Sequence, residues 1–283
     1  MIPRRALLAA PAILAWRPAL AAEPLLLEEP PGGPPALRIF VHRPAGWQPD
    51  GRAIIVMHGL NRDADRYLAQ WIAPAEAQGL LLVAPEFARA RFPTTASYNW
   101  GNVVDVAGQP LPPEAWSFGL IDRVWARVRD AVGATRPGYA LFGHSAGAQF
   151  VHRYLLLAEA SAAEAIITAN AGSYTMPVAD VAFPFGLGGT AVTEAMLARA
   201  FARPVTVLLG ADDVDPDHPS LPRQPGALAQ GPHRLARGLR FYAEARAAAA
   251  RLGQPFAWRL ETVPGVGHDN GGMARRAAAI ARG

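Results

Sequence analysis

The pentapeptide Gly143-His144-Ser145-Ala146-Gly147 has the form G-x-S-x-G, and its residue types and spacing point to nucleophilic catalysis. It follows the apolar run Tyr139-Ala140-Leu141-Phe142 and precedes a helical pattern that extends from Ala148 to Glu159. A serine at such a strand-to-helix turn is exposed at the sheet edge, and its neighbours must be small because the two backbones come close together. The pattern therefore predicts a nucleophile at Ser145. A chance glycine-rich turn is the alternative.

A serine hydroxyl is a weak nucleophile at neutral pH and needs a histidine base that a carboxylate orients. Both partners follow in the chain order serine, acid, histidine. Acids crowd the loop after the apolar run 204–210, at Asp212, Asp213 and Asp215, and His268 follows a further predicted strand at 255–263. We therefore expect His268 to be the base. Among the other histidines, His144 is predicted to pack beside the turn, and His152 to make a buried hydrogen bond.

With these segments, the chain from about Ala36 to its end resembles the α/β-hydrolase superfamily. The matching stretches are Val56-Met57-His58-Gly59-Leu60-Asn61, the G-x-S-x-G turn, Leu209-Gly210-Ala211-Asp212-Asp213 and Gly267-His268. Within the superfamily it is most similar to the secreted poly(3-hydroxybutyrate) depolymerase-like and feruloyl-esterase-like group. The acid of this family commonly stands three positions beyond the glycine that ends its strand, which selects Asp213. Asp212 and Asp215 remain alternatives.

The resemblance also implies an oxyanion hole. In this fold one donor is a backbone N–H of the loop after the third strand, and the other is the N–H of the residue after the nucleophile. These correspond to Leu60, in the loop that follows the apolar strand Ala53 to Met57, and to Ala146. The alternative is that His58-Gly59 only turns the chain.

Continuous apolar runs alternate with helical patterns along the chain, for example at 53–57, 80–85, 165–169 and 204–210. Such alternation predicts an α/β fold, with a mostly parallel sheet covered by helices on both faces. A length of 283 residues with 51% hydrophobic content suits one catalytic domain, predicted over residues 36–283. No long helical insertion follows the sixth strand, so no large lid domain is expected.

Two long, turn-rich segments leave the carboxyl ends of predicted strands, at residues 89–116 and 172–190. Ligands bind at that edge in open α/β sheets, so we expect Trp100, Tyr174 and Phe185 to contact substrate. Packing of these aromatic side chains under the loops is the alternative. A third connection, 216–233, is rich in proline and could rim the same pocket.

The amino terminus has the pattern of a secretory signal over residues 1–21, with Arg4-Arg5, an apolar stretch and the cleavage motif Ala19-Leu20-Ala21. The two arginines are also compatible with the twin-arginine route. Residues 22–35 are predicted to be a linker. The apolar stretch is too short and too interrupted to span a bilayer, so we expect a periplasmic or secreted protein that is not membrane-bound in its mature form.

Composition excludes several classes of chemistry. The chain has no cysteine and no lysine, which excludes thiolate metal sites, cysteine nucleophiles and Schiff bases. Its formal charge is +4, but the arginines are scattered and are predicted to be solvated, so nucleic-acid binding is not expected. An EF-hand starting at Asp213 would place His218 and Gln224 where glycine and glutamate are required. Neither a metal nor an organic cofactor is predicted.

The expected function is that of a secreted serine hydrolase that cleaves carboxylic esters through an acyl-enzyme. The ester could be a polyhydroxyalkanoate, a feruloylated or acetylated sugar, or a small molecule. A serine peptidase on the same fold is an alternative, because the same three side chains also cleave amides. A non-catalytic ligand-binding protein on this scaffold is a further one. The oligomeric state is left open.

Overall fold

The computed structural model describes residues 23–31, 33–158 and 161–283. Its eight-stranded sheet has the order β1-β2-β4-β3-β5-β6-β7-β8. Strand β2 runs antiparallel to both of its neighbours, and the remaining pairs are parallel. The predicted α/β class with a mostly parallel sheet is therefore confirmed. The predicted export signal lies outside the described residues.

The bounds of the elements are as follows. The strands are β1 (Leu25–Leu27), β2 (Leu37–His42), β3 (Ala53–Met57), β4 (Leu81–Pro85), β5 (Tyr139–His144), β6 (Ala163–Ala169), β7 (Val205–Gly210) and β8 (Arg259–Val263). The helices are α1 (Ala64–Gln78), α2 (Gly119–Val132), α3 (Ala146–Leu157), α4 (Glu194–Ala202), α5 (Pro225–Leu228), α6 (Arg234–Arg251) and α7 (Asn270–Arg282).

Two apolar cores lie on the two faces of the sheet because successive side chains of a strand point to opposite faces. In β3, Ile55 and Met57 belong to the core that α2, α3, α4 and α6 cover. Ile54 and Val56 belong to the other core, which α1 and α7 cover. A strand enclosed on both faces must be apolar throughout, which is why β3 forms a continuous apolar run.

The segment predicted as a linker, residues 22–35, contains the short strand β1. Leu25 pairs with Ile39 and Leu27 with Leu37 in an antiparallel ladder at the sheet edge. Leu27 is only 8% exposed, so burial of its side chain helps to hold this strand on β2. The sheet therefore begins before Ala36.

Three long loops leave the carboxyl ends of the parallel strands. They join β4 to α2 (residues 86–118), β6 to α4 (170–193) and β7 to α6 (211–233). The second loop contains no helix, and the described part of the chain has no separate lid domain, as expected. The three loops are the elements that can surround a site at this edge of the sheet.

Two buried imidazoles anchor the first two loops. Nε2 of His58 accepts a hydrogen bond from the N–H of Phe87 at 3.0 Å, and Nε2 of His152 accepts one from Thr175 at 2.9 Å. Each ring is neutral, since Nε2 must stay unprotonated in order to accept. Burial lowers the pKa of His58 to about 4 and the pKa of His152 well below its usual value.

This arrangement predicts acid sensitivity. Between about pH 6.5 and about pH 4 the unfolded chain binds protons at these two positions, whereas the folded chain keeps both rings largely neutral. The free energy of unfolding therefore decreases as the pH falls, by up to about 1.4 kcal/mol per pH unit for each histidine. Urea unfolding at about pH 7.5 and about pH 5.5 measures this loss.

His152→Gln is the matched variant, because an amide oxygen can still accept from Thr175 but does not titrate in this range. We expect its stability to depend less steeply on pH. Equal stability of the unaltered protein at the two pH values would contradict the assignment of neutral imidazoles.

Candidate active site

Ser145 occupies the sharp turn between β5 and α3. Its backbone has φ 59° and ψ −115°, a conformation that costs a non-glycine residue about 1–3 kcal/mol. A Cβ on Gly147 would lie 2.2 Å from the carbonyl oxygen of Met57, and one on Gly143 would lie 2.2 Å from the carbonyl oxygen of Gly147. Glycine is therefore required at both positions, and the close contact fixes the turn against the end of β3.

Ser145, His268 and Asp213 form one hydrogen-bonded series. Nε2 of His268 lies 3.0 Å from Oγ of Ser145, and Nδ1 of His268 lies 2.8 Å from Oδ2 of Asp213. Because a carboxylate only accepts, Nδ1 carries the proton and Nε2 is free to accept from the serine hydroxyl. Asp213 is 2% exposed, whereas Asp212 and Asp215 are exposed to solvent.

The loops that carry the acid and the histidine are tied to each other. The N–H of Asp212 donates to the carbonyl of Val266 at 2.9 Å. Asn170, at the end of β6, accepts from the N–H of Gly210 at 2.8 Å and donates to the carbonyl of Gly267 at 3.2 Å. The ends of β6 and β7 thus set the distance between Asp213 and His268.

The sequence predicts the backbone N–H groups of Leu60 and Ala146 as the donors of an oxyanion hole. Ala146 is the first residue of α3, so its N–H has no acceptor within the helix. The N–H of Leu60 has no acceptor among the described residues. The carbonyl of Leu60 accepts a hydrogen bond from Nη2 of Arg89 at 2.9 Å, which helps to fix the loop after β3.

A cavity of about 300 Å³ opens on one side of Ser145, and we call it the uncharged cavity because no ionisable side chain lines it. Its lining residues are Leu60, Thr95, Asn99, Trp100, Ser145, Ala146, Gln149, Gly172, Ser173, Pro184, Phe185, Pro219, Ser220, Leu221, Pro222 and Gln224. Its volume is at the small end of the range for ligand pockets, roughly 300–1,000 Å³.

A second cavity of about 320 Å³ lies on the other side, and we call it the histidine cavity. It shares Leu60, Ser145 and Ser220 with the uncharged cavity. Its ionisable lining residues are Asp63, Arg66, His144, His218, His268 and Asp269, together with Tyr67. The hydroxyl of Ser145 therefore stands at the boundary of two spaces that differ in charge.

Known proteins of similar structure include two at substantial sequence identity, although no family model and no curated protein matches the chain. Poly(aspartic acid) hydrolase-1 from Sphingomonas sp. KT-1 is 39% identical with a TM-score of 0.86, over 91% of this chain and 97% of that one. Poly(3-hydroxybutyrate) depolymerase LpqC from Bordetella parapertussis is 40% identical with a TM-score of 0.81, over 87% and 83%.

Siderophore hydrolase EstB from Aspergillus nidulans shares the fold at 16% identity, with a TM-score of 0.54 over 94% of this chain and 97% of that one. The chain belongs to the α/β-hydrolase superfamily. The predicted resemblance to the depolymerase-like group is confirmed, and the chain is a hydrolase of this fold.

In this hydrolase two of the three aromatic residues predicted to bind substrate line the uncharged cavity, namely Trp100 and Phe185. The prediction for Tyr174 is wrong. Its side chain is 0% exposed and stacks on Phe241 with the ring centroids 4.6 Å apart. The reason lies in the backbone of Tyr174, whose N–H and carbonyl both pair with the side-chain amide of Gln230 and direct the ring into the core.

Several polar residues of the uncharged cavity were not predicted. Gln149 stands four residues after Ser145, which is about one helical turn along α3, so helical periodicity could have identified it. Ser220 and Gln224 lie in the proline-rich connection, whose path has no periodic signal. They reach the cavity only because that loop folds back over Ser145.

The prediction that the arginines are solvated is wrong for four of them, since Arg62, Arg153, Arg234 and Arg237 are buried. Arg153 donates to the carbonyls of Asn99 at 3.2 Å and Pro184 at 3.0 Å, and so links two of the wall loops. A guanidinium group can satisfy carbonyl oxygens of irregular loops because it presents five N–H donors in a fixed plane. Burial lowers the pKa of Arg153 to about 9.

The geometry predicts different effects for neighbouring acids. Asp213→Asn should lower kcat for p-nitrophenyl butyrate by about 10³ to 10⁴, because an amide favours the wrong tautomer of His268. Asp212→Asn should change kcat by less than about threefold, since Asp212 is exposed and the carboxylate that pairs with His268 is that of Asp213. Thermal melting checks that both variants fold. An equal loss in the Asp212 variant would contradict the assignment.

Proposed function

We propose that this protein is a secreted serine hydrolase that cleaves carboxylic esters through an acyl-enzyme. The observation that carries the proposal is the single series of hydrogen bonds from Asp213 through His268 to Ser145. Two backbone N–H groups lie beside it, on Leu60 and Ala146. A nucleophile, a base, an orienting acid and two oxyanion donors are the parts that acyl transfer requires.

In the proposed reaction, Oγ of Ser145 attacks the ester carbonyl while Nε2 of His268 takes the hydroxyl proton. Asp213 stabilises the imidazolium that results. The oxyanion of the tetrahedral intermediate accepts hydrogen bonds from the two N–H groups, and each such donor contributes about 3–4 kcal/mol in comparable sites. His268 then donates its proton to the leaving alkoxide, and water hydrolyses the acyl-enzyme by the same steps.

The two cavities indicate how the acyl and alcohol portions of the substrate are oriented. His268 lines only the histidine cavity, and it must reach the leaving oxygen in order to protonate it. Ala146 lines only the uncharged cavity. We therefore assign the acyl portion of the ester to the uncharged cavity and the alcohol portion to the histidine cavity.

The substrate class that the site favours is a neutral ester of a hydroxyalkanoate chain or its oligomers. The uncharged cavity combines the aromatic rings of Trp100 and Phe185 with neutral polar groups such as Gln149. One relative at 40% identity is named as a poly(3-hydroxybutyrate) depolymerase. A repeating unit of that polyester is small and carries no charge, which suits the size and the lining of the cavity.

Hydrolysis of poly(aspartic acid) is the second candidate, because a relative at 39% identity is named for it. That polymer carries a negative charge on every unit, so its binding would be favoured by cationic walls. The uncharged cavity has no cationic side chain. In the histidine cavity the positive charge of Arg66 is offset by the carboxylates of Asp63 and Asp269. The charge distribution therefore favours the neutral ester.

Purified protein should release acid from oligomers of 3-hydroxybutyrate at least about tenfold faster than from poly(aspartic acid) at equal unit concentration, because desolvated anionic groups are costly in an uncharged site. Ser145→Ala should abolish the ester activity and leave the melting temperature nearly unchanged. Faster cleavage of poly(aspartic acid) would establish the second candidate. Substrate binding that survives in the Ser145 variant, without any hydrolysis by the unaltered protein, would favour a binding protein.

Export through residues 1–21 is part of the proposal. No helix among the described residues is long and apolar enough to cross a membrane. When the full chain is expressed in a bacterium with both export routes, we expect the protein recovered outside the cytoplasm to begin at Ala22, which mass spectrometry of the amino terminus measures. Recovery of an unprocessed chain in the cytoplasm alone would contradict export.

A further inference from the structure

His218 lies on the rim loop between β7 and α6, and its ring faces the ring of His268 edge-on, with centroids 5.2 Å apart and planes 73° apart. It lines the histidine cavity together with Ser145 and His268. The proposed mechanism does not use it. Because it lies beside the base, a substrate bound at Ser145 could contact its ring nitrogens, and the protonation state of the ring decides which nitrogen can donate a hydrogen bond.

Three donors surround one nitrogen of this ring. Nδ1 of His218 lies 3.3 Å from Nη2 of Arg234, 3.2 Å from the N–H of Ser220 and 3.1 Å from Oγ of Ser220. A guanidinium and a backbone N–H can only donate, so Nδ1 must be the acceptor and carry no proton. The neutral ring therefore has its proton on Nε2.

Arg234 holds this arrangement in place. It is buried, and its Nη1 lies 3.4 Å from Oδ1 of Asp213 while its Nη2 donates to Oγ of Ser220 at 2.9 Å. The same cation therefore contacts the acid that orients His268 and the loop that carries His218. Desolvation, Arg234 and His268 together lower the pKa of His218, and Asp213 and Asp215 oppose this shift. These effects favour the neutral form of the ring, in agreement with the donors that surround Nδ1.

Nε2 of His218 has no hydrogen-bond partner among the described residues. We infer that His218 is a substrate-binding residue whose Nε2–H donates to a carbonyl oxygen in the alcohol portion of the ester. This inference rests on the proposed function, because that portion was assigned to the histidine cavity. A hydroxyalkanoate oligomer has such a carbonyl oxygen in the unit next to the cleaved bond, whereas a plain alkyl alcohol has none.

The test compares two butanoyl esters in every enzyme form. One has an alcohol portion that bears a carbonyl group, methyl 3-hydroxybutanoate, and the other has a plain alkyl alcohol, 2-pentanol. His218→Asn keeps an oxygen close to the position of Nδ1 for Arg234 and Ser220 but removes the Nε2 donor. We expect kcat/KM to fall about tenfold for the first ester and less than twofold for the second.

Two further variants serve as controls. His218→Gln places an amide N–H₂ farther along the side chain and should recover part of the loss for the first ester only. His42→Asn makes the same substitution on β2, where His42 pairs with Glu76 at 2.7 Å, and should change neither rate.

An equal loss for both esters, or a loss for neither, would overturn the role of His218 while leaving the proposed hydrolysis intact. If the unaltered protein cleaves neither ester, the proposed function fails and the inference fails with it. A selective loss with the first ester, recovered in part by glutamine, supports the assignment.

Discussion

The contact of Gly147 with the end of β3 is the constraint on which the site depends. Because a Cβ there would lie 2.2 Å from the carbonyl oxygen of Met57, the turn can approach β3 this closely only with glycine. Gly143 pairs with Met57 in the parallel ladder of β3 and β5, so the two strands end side by side. The nucleophile on one strand and the N–H of Leu60 after the other are thereby held next to each other without any flexible side chain between them.

Hydrogen bonds from buried charged and titratable groups, rather than apolar packing alone, hold the loops around this turn. Neutral imidazoles at His58 and His152 accept from loop N–H groups, and Arg153 donates to loop carbonyls. Irregular loops pair only part of their backbone groups with one another, and a buried group left unpaired costs about 1–3 kcal/mol. A few buried side chains with several hydrogen-bonding atoms can pair with several of these backbone groups at once. None of these buried guanidinium groups lines the uncharged cavity.

The sequence predicted the sheet well because strands enclosed on both faces must be apolar throughout. The bounds of β3 follow directly from its apolar run, and the G-x-S-x-G turn predicted the position of Ser145. Choosing Asp213 over its neighbours required the family resemblance, since three acids lie within four residues and only the loop path separates them. In the structure Oδ2 of Asp213 lies 2.8 Å from Nδ1 of His268.

Other features depend on tertiary contacts that leave no local signal. The inward orientation of Tyr174 follows from its pairing with Gln230, which is 56 residues away. Arginine is usually a surface residue, so the sequence does not indicate that Arg153 and Arg234 are buried. Their burial depends on how the loops fold. The strand β1 consists of only three leucines, which is too short a run to be distinguished from a linker by its sequence. In each case a distant partner, and not the local pattern, decides the structure.

Whether His268 activates Ser145 is the central question, and labelling with a fluorophosphonate followed by mass spectrometry tests it most directly. We predict a single adduct on Ser145 in the folded protein and a large loss of labelling in His268→Asn, because the imidazole must accept the hydroxyl proton as the bond to phosphorus forms. Ser173, which also lines the uncharged cavity, should remain unlabelled in both. A folded protein that takes up no label, or that labels equally well without His268, would contradict the account.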